Sequence, residues 1–350
     1  MNTNSVNMPV TIIGRRSKFY GSMNRYHDCL LNYINGSKII YVYDKYLPMM
    51  PRSITEYFYD PLRLKFRIKQ NEILHFADPY TGHFLYFLKN KNVIVTCHDI
   101  YHTVYNDYKG LQNFLYNFSI RGMLKAKYII ADSENTKRDI IKYLRYPSER
   151  IKVIPLGVDH NKYKKVAYKA DKKNHIILHV GGGGSHKNVH GLIKAFYKLK
   201  RKHTNVKMIQ AGEPEKVYRD LIRELGLQND IQFIGFASEK EVIKLYNMAD
   251  VFVFPSYYEG FGLPPLEAMA CGCPVITSNT SSLPEVVGNA GIMLNPNDIE
   301  GLANAIYEVL NNEGLREDMI KKGLDRAKLF SWKRTGEETY KVYEEIWNES

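Results

Sequence analysis

Cysteine is scarce in this chain of 350 residues, and the four present are scattered, which excludes a disulfide framework. Cys271 and Cys273 form a C-x-C, but no second pair or neighbouring histidine completes a zinc set. Small residues in a tight helix-to-strand turn account for them better. No apolar run approaches the roughly 18–20 residues that span a bilayer. The first residues, Met1-Asn-Thr-Asn-Ser-Val-Asn7, lack a basic segment followed by an apolar one, so no secretory signal is evident and a cytoplasmic location is expected. No Asp-x-Asp occurs, and no cluster of carboxylates and histidines marks a catalytic cation, so neither a metal nor an organic cofactor is expected.

What is present is a composition of 44% hydrophobic and 25% charged residues, that of a globular protein, at a length that favours two domains. The net charge of +12 is unevenly spread. Residues 1–170 hold 27 Lys and Arg against 13 Asp and Glu, a balance of +14, while the remainder balances at −2 with 22 against 24. One half therefore carries all the excess. It suits a half that faces an anionic partner such as phosphorylated lipid, a membrane surface or nucleic acid. A solvated, lysine-rich surface is the plainer account.

Short apolar runs alternate with helical patterns almost throughout. In the first half they lie at 10–14, 38–43, 73–77, 93–97, 128–131 and 151–155, with helices clearest at 111–124 and 136–144. The second half repeats the plan at 176–180, 206–211, 231–234, 251–254 and 275–277, with connecting helices at 189–201, 214–225, 239–248 and 264–270. Buried apolar runs joined by helices predict an α/β protein of two doubly wound, Rossmann-like parallel sheets. The expected division is an N-terminal domain over 1–157, a C-terminal domain over 158–329, and a terminal helix over 330–350. Ligands of such sheets bind beyond the carboxyl ends of the strands, so two such domains predict a cleft.

Three segments carry chemistry. The first is Ser256-Tyr-Tyr-Glu259-Gly-Phe-Gly262-Leu-Pro-Pro-Leu-Glu267-Ala-Met-Ala-Cys-Gly272, in which two glutamates eight positions apart bracket a Gly-Phe-Gly turn and a Pro-started helix. One carboxylate is expected in a loop and the other in the first helical turn, with free N–H groups between them. That is a place for a ligand both phosphorylated and rich in hydroxyls. The second is His179-Val-Gly-Gly-Gly-Gly184-Ser-His-Lys187-Asn188, a strand, glycine-rich turn and helix start of phosphate-binding design. It is no P-loop, since His186 stands where a glycine is needed, and it lacks the third glycine and distal acid of a dinucleotide fingerprint. The third is Val95-Thr-Cys-His98-Asp99, which places a histidine at a strand's carboxyl end.

The first block closely resembles the donor-site signature of retaining glycosyltransferases of family 4 (glycosyl transferases group 1), which have the GT-B fold. The resemblance extends through Lys187-Asn188, His98-Asp99, Ala211-Gly212-Glu213 and Phe233-Ile-Gly235-Phe236, good over about 90–350 and poor over 1–90. It implies that Glu259 binds donor-sugar hydroxyls, that Glu267 holds the ribose, and that Phe261, Gly262 and Leu263 present N–H groups to the sugar diphosphate. Lys187, with Gly182 and Gly183, would meet the diphosphate. Glu213 and Phe236 would lie by the nucleotide, and His98 near the reacting sugar. Where many members carry an arginine in the glycine loop, this chain has Gly182 or Gly183, which leaves more to Lys187. Gly21, Ser22 and Arg25 are loosely similar to the family's acceptor loop. A terminal Phe-Ser-Trp helix, with Glu337, Glu338, Glu344 and Glu345, is expected to return to the basic first domain.

The reading is a metal-independent retaining hexosyltransferase that moves sugar from a UDP- or GDP-sugar to an acceptor hydroxyl, on a lipid-linked or polysaccharide glycan. His98, Glu259 and Lys187 are its catalytic candidates, and an anionic membrane surface is a further partner. The arm Arg63-Leu-Lys-Phe-Arg-Ile-Lys69 reads either as a surface contact or as an edge strand. The alternative function is a sugar- or nucleotide-binding protein on a degraded transferase scaffold. Nucleic-acid binding and nicotinamide oxidoreduction lack a supporting motif.

Overall fold

The computed structural model describes residues 8–15, 22–34, 36–43, 52–69, 71–167, 174–182, 184–213 and 215–350. The chain divides into two compact units, unit 1 of Met1–Gly157 with Trp332–Ser350, and unit 2 of Val158–Ser331.

In unit 1, β1 (Val10–Arg15), β2 (Lys38–Val42), β3 (Ile73–Phe76), β4 (Val93–Cys97), β5 (Tyr128–Ala131) and β6 (Ile151–Val153) form one sheet of order β2-β1-β3-β4-β5-β6. Every neighbouring pair is parallel. β3, β4 and β5 are buried along their whole length, the mark of a parallel sheet covered on both faces. The chain order reverses between β1 and β3. Gly82, in the 3₁₀ segment Pro79–Tyr86, and Gly122, in the helix Gly110–Met123, cross so closely that a Cβ on either would run into the other segment's backbone. The helix Trp332–Asn348 belongs to this unit and rests Gly336 on Tyr33 of the helix Ser22–Tyr33. Its Tyr343 hydroxyl bonds His75 Nδ1, whose Nε2 meets Thr96 Oγ1 at 2.7 Å. Thr96 in turn meets the Tyr26 hydroxyl at 2.7 Å, so one buried polar chain ties both helices to β3 and β4.

In unit 2, β7 (His175–Val180), β8 (Val206–Ala211), β9 (Ile231–Phe233), β10 (Val251–Phe254), β11 (Val275–Ser278) and β12 (Ile292–Leu294) form a second parallel sheet, of order β12-β11-β10-β7-β8-β9. Here the order reverses between β7 and β10. Helix Val189–Lys202 covers one face with Val189, Leu192, Ile193, Phe196 and Leu199, all but fully buried. Asn188 starts that helix from the left-handed region, φ 53°, and caps it by accepting from Gly191 N–H at 3.2 Å.

The two sheets match the expected α/β architecture of doubly wound parallel halves. β12 has no counterpart among the expected runs. It is three half-buried residues whose place comes from pairing with β11. The edge-strand reading of 63–69 is overturned: Asp60–Lys65 is α-helical, the last part of a helical run that begins at Arg52, and 66–69 lie beyond its end. Of the terminal helix's acids, Glu345 meets Lys152 at 2.7 Å, whereas Glu337 and Glu338 pair with Lys333 and Arg334 of their own helix.

Gly82→Ala and Gly122→Ala should each destabilise the protein by about 1–3 kcal/mol, because backbone, unlike a side-chain tip, cannot step aside. Urea unfolding of both variants against wild type measures this. An unchanged midpoint would mean that the crossing is loose.

Candidate functional site

The reversal point of the unit 2 sheet sets the site. The segments leaving the carboxyl ends of β7 and β10 are the glycine turn and the Glu259 loop, so the topology alone brings the two motifs together. Gly212, φ 140°, passes so near the Gly181 carbonyl that no side chain fits between them. Gln210 Nε2 donates to the same carbonyl at 2.9 Å, and Tyr257 N–H donates to the His186 carbonyl at 2.7 Å.

Serines following β11 hold the Glu259 loop. Ser281 accepts Glu259 N–H at 2.7 Å and donates to the Glu259 carbonyl at 2.8 Å. Ser282 donates to the carbonyls of Glu259 and Phe261 at 2.9 and 2.6 Å. Ser281 sits at φ 52°, a costly conformation for a residue with a Cβ, sustained by the two bonds its hydroxyl makes. Nothing local in the sequence marks these serines, which stand 21 to 23 residues beyond their partners.

So fixed, Glu259 takes Lys187. The ammonium lies 2.7 and 2.8 Å from the two carboxylate oxygens and 5.2 Å from the centre of the Phe254 ring. The two residues expected to serve different parts of a ligand thus serve each other. Both side chains are mostly buried, so loss of either one would leave the other charge uncompensated. A ligand phosphate would compete for Lys187 and release Glu259 to accept from hydroxyls.

Beyond the loop, Gly262 at φ 120° starts the helix Leu263–Ala270. Pro264 and Pro265 have no N–H to offer, so the donors at this end are those of Phe261, Gly262 and Leu263. Among the described residues none of the three meets an acceptor. Glu267 is not in the first turn as expected. Leu263 rather than Pro264 opens the helix, which puts Glu267 fifth, buried, and accepting from the Tyr246 hydroxyl at 3.1 Å. Gly182 lies in open space with nothing against its Cα; Glu213 and Phe236 are exposed, Glu213 with its carboxylate by Gly235. Gly183 and Gly21 lie outside the described residues, as does the Ser22 side chain; Arg25 is half-buried on the helix Ser22–Tyr33.

Among the described residues, four buried polar atoms at the carboxyl end of this sheet have no protein partner: His179 Nε2, Gln210 Oε1, Ser256 Oγ and Thr277 Oγ1. His179 donates from Nδ1 to the Val253 carbonyl at 2.9 Å, and burial lowers its pKa to about 4, so Nε2 carries a free lone pair. Such unmet capacity suits ordered water or a hydroxyl-rich ligand. Among the described residues no group of three His, Cys, Asp or Glu is placed to share a cation.

In unit 1, His98 follows β4. Its Nδ1 lies 2.7 Å from Asp132 Oδ2, and its Nε2 lies 3.0 Å from the Ala77 carbonyl, which can only accept. Burial alone would lower the histidine's pKa, but the Asp132 carboxylate outweighs it and raises it to about 9. Burial also raises Asp132, against the pull of His98; the ring's two acceptor neighbours place the shared proton on the imidazole. Both nitrogens are engaged, so His98 is a fixed positive charge with no lone pair for a hydroxyl. Asp132, 34 residues distant, was not legible as its partner.

The chain matches two family models, "Glycosyltransferase Family 4" over residues 21–162 and "Glycosyl transferases group 1" over residues 161–326. It is 32% identical over 231 residues to the O-antigen chain mannosyltransferase B of Escherichia coli, a match covering 62% of this chain and 60% of that relative's length. Among solved structures, sucrose-phosphate synthase from Thermosynechococcus elongatus superposes with a TM-score of 0.83 at 21% identity, covering 98% of this chain and all of the other. HepE of Anabaena, in complex with UDP and glucose, gives a TM-score of 0.80 at 18% identity, covering 96% of this chain and 99% of that one. At these identities the two structures share the fold.

The His98 proton couples to stability. An unfolded chain releases it near pH 6.5, the folded unit near 9. The contribution is therefore complete below about pH 6.5 and lost as pH rises through about 9, amounting to at most about 3 kcal/mol. Urea unfolding across this window should show that loss in wild type and a flatter profile in Asp132→Asn. An NMR titration placing His98 near 6.5 would contradict the ion pair.

Proposed function

We propose, from the premise that this chain belongs to the glycosyl transferases of group 1, that it moves a hexosyl group from a nucleoside-diphosphate donor to an acceptor hydroxyl with retention at the anomeric carbon. The observation that carries the proposal is the meeting, at the β7/β10 reversal, of the Lys187 ammonium, the Glu259 carboxylate and three unpartnered N–H groups. One end of that array suits a diphosphate and the other suits hydroxyls.

In this reading unit 2 takes the donor. Lys187 leaves Glu259 for the diphosphate, and the N–H groups of Phe261, Gly262 and Leu263 share the charge, so no metal is required. Glu259 accepts from sugar hydroxyls, and Glu267, oriented by Tyr246, accepts from the ribose. The bond from the anomeric carbon to the phosphate oxygen breaks, and the bond to the acceptor oxygen forms on the same face. The acceptor's proton passes to the departing phosphate oxygen. His98 enters as fixed positive charge, since neither nitrogen is free to take a proton.

The donor is a UDP- or GDP-sugar; the UDP and glucose bound by HepE and the mannosyl transfer named for the O-antigen relative support that class. The same relative supports a glycan acceptor, polysaccharide or lipid-linked. A lipid-linked acceptor would place the enzyme in the cytoplasm, peripheral at the inner face of the cell membrane. No helix among the described residues is long and apolar enough to cross a membrane.

Thermal shift against UDP, GDP and their sugar conjugates tests the donor assignment. One nucleotide series should stabilise the protein, by about 3 kcal/mol at a hundredfold excess over its dissociation constant. Glu267→Ala should weaken that nucleotide about tenfold or more, the loss expected when a charged hydrogen-bond acceptor is removed. Silence from every nucleotide would overturn the donor site. Undiminished affinity in the variant would remove Glu267 from it.

A further inference from the structure

Away from the strands' carboxyl ends, unit 1 carries a surface that the transfer reaction does not use. The helical run Arg52–Lys65, α-helical at both ends with a π turn at Thr55–Tyr59, buries one face through Thr55, Asp60 and Leu64. Its other face is also apolar. Ile54, Phe58, Leu62 and Phe66, one per turn, stand 45%, 56%, 47% and 86% exposed. A helix on a globular surface needs a single apolar stripe, and a second one facing water marks a contact. The patch continues off the helix, for Phe58 packs edge-on against Phe87 with ring centres 6.4 Å apart.

Lys65, in the last turn of the same run, also lines a cavity of about 800 Å³ together with Lys69, Lys89, Lys91 and Lys127. The one acidic side chain in its wall, Glu349, is matched by Lys127 at 2.8 Å. Among the described residues the other four lysines have no ion-pair partner. Asn71, Asn92 and Lys127 in its wall come just before β3, β4 and β5. The cavity thus lies at the amino ends of the strands, opposite the end that bears His98. A donor diphosphate held at carboxyl ends does not explain it.

We infer that this face docks on an anionic lipid surface, with Ile54, Phe58, Leu62 and Phe66 set into the headgroup boundary and headgroup phosphates in the lysine cavity. Charge complementarity selects the occupant. A second copy of the chain would bring the same unpaired lysines, and nucleic acid offers nothing for an aliphatic and aromatic stripe. An anionic bilayer satisfies both at once. Docking is read without the donor site and rests on the proposed function only for the sense it gives to a lipid-linked acceptor.

Flotation of the full chain with phosphatidylcholine vesicles, with and without about one-third phosphatidylglycerol, tests it. Binding should require the anionic lipid and weaken with salt. Lys89→Gln with Lys91→Gln should lower the partition about fivefold per lysine. Phe58→Ser with Phe66→Ser should abolish most of it, with nucleotide affinity unchanged as the control for folding. Lys89 and Lys91 are exposed, so that pair carries the test should the aromatic pair disturb folding. Equal binding to neutral vesicles, wild-type partition in both variants, or a dimer in vesicle-free buffer that Phe58→Ser with Phe66→Ser dissociates would each overturn the inference. Nucleotide binding that survives such a failure leaves the transferase reading standing.

Discussion

A single hydroxyl, that of Ser281, holds the N–H and the carbonyl of Glu259 at once, and the Glu259 loop of unit 2 takes its place from that clamp. It fixes the Glu259 carboxylate where Lys187 can reach it. Ser282 in turn fixes the Phe261 carbonyl, one residue before the Gly262 turn, where among the described residues three N–H groups meet no acceptor. Such a loop does little to hold itself, because among the described residues its N–H groups at 261–263 meet no acceptor. The restraint has to come from the next strand's connection, at the cost of a left-handed serine.

The parallel sheet supplies the rest. Because every strand in a unit runs the same way, all carboxyl ends gather on one edge, and the reversal of strand order parts the two loops that leave it. In unit 2 that parting holds the Lys187–Glu259 pair. In unit 1 the corresponding edge carries the His98–Asp132 pair, a buried cation whose proton is held well above the ordinary range. Part of the basic excess of the first half lies elsewhere: four lysines that have no ion-pair partner among the described residues line a cavity at the opposite edge, beside a stripe of exposed apolar side chains. The buried cation and the exposed lysines are thus separate features of one unit.

The inner strands were legible because a parallel strand buried on both faces is an unbroken apolar run, as in β5 and β10. The more mixed runs of β2, β6, β8 and β9 were legible from their place in the alternation of strands and helices. β12 was not, since three half-buried residues have no period. Residues 63–69 alternate charged and apolar side chains, which fits a strand's period of two, yet the helical run begun at Arg52 continues through Lys65 with Leu64 buried on it. Individual site residues were legible where a motif is contiguous, as with Glu259, Gly262, Glu267 and Lys187. Their pairings were not. Ser281 with Glu259, Asp132 with His98 and Tyr246 with Glu267 each join residues 21 or more apart, and only the folded chain brings them together.

The central claim is that Lys187 and the three N–H groups form a diphosphate site that works without a cation. Titration calorimetry of the nucleoside diphosphate against its nucleoside monophosphate, in EDTA, for wild type and Lys187→Ala, tests this most directly. The account predicts tighter binding of the diphosphate in EDTA, by about tenfold or more, and loss of that preference in the variant. Equal affinity for the two nucleotides, or a preference that appears only with added divalent cation, would contradict it.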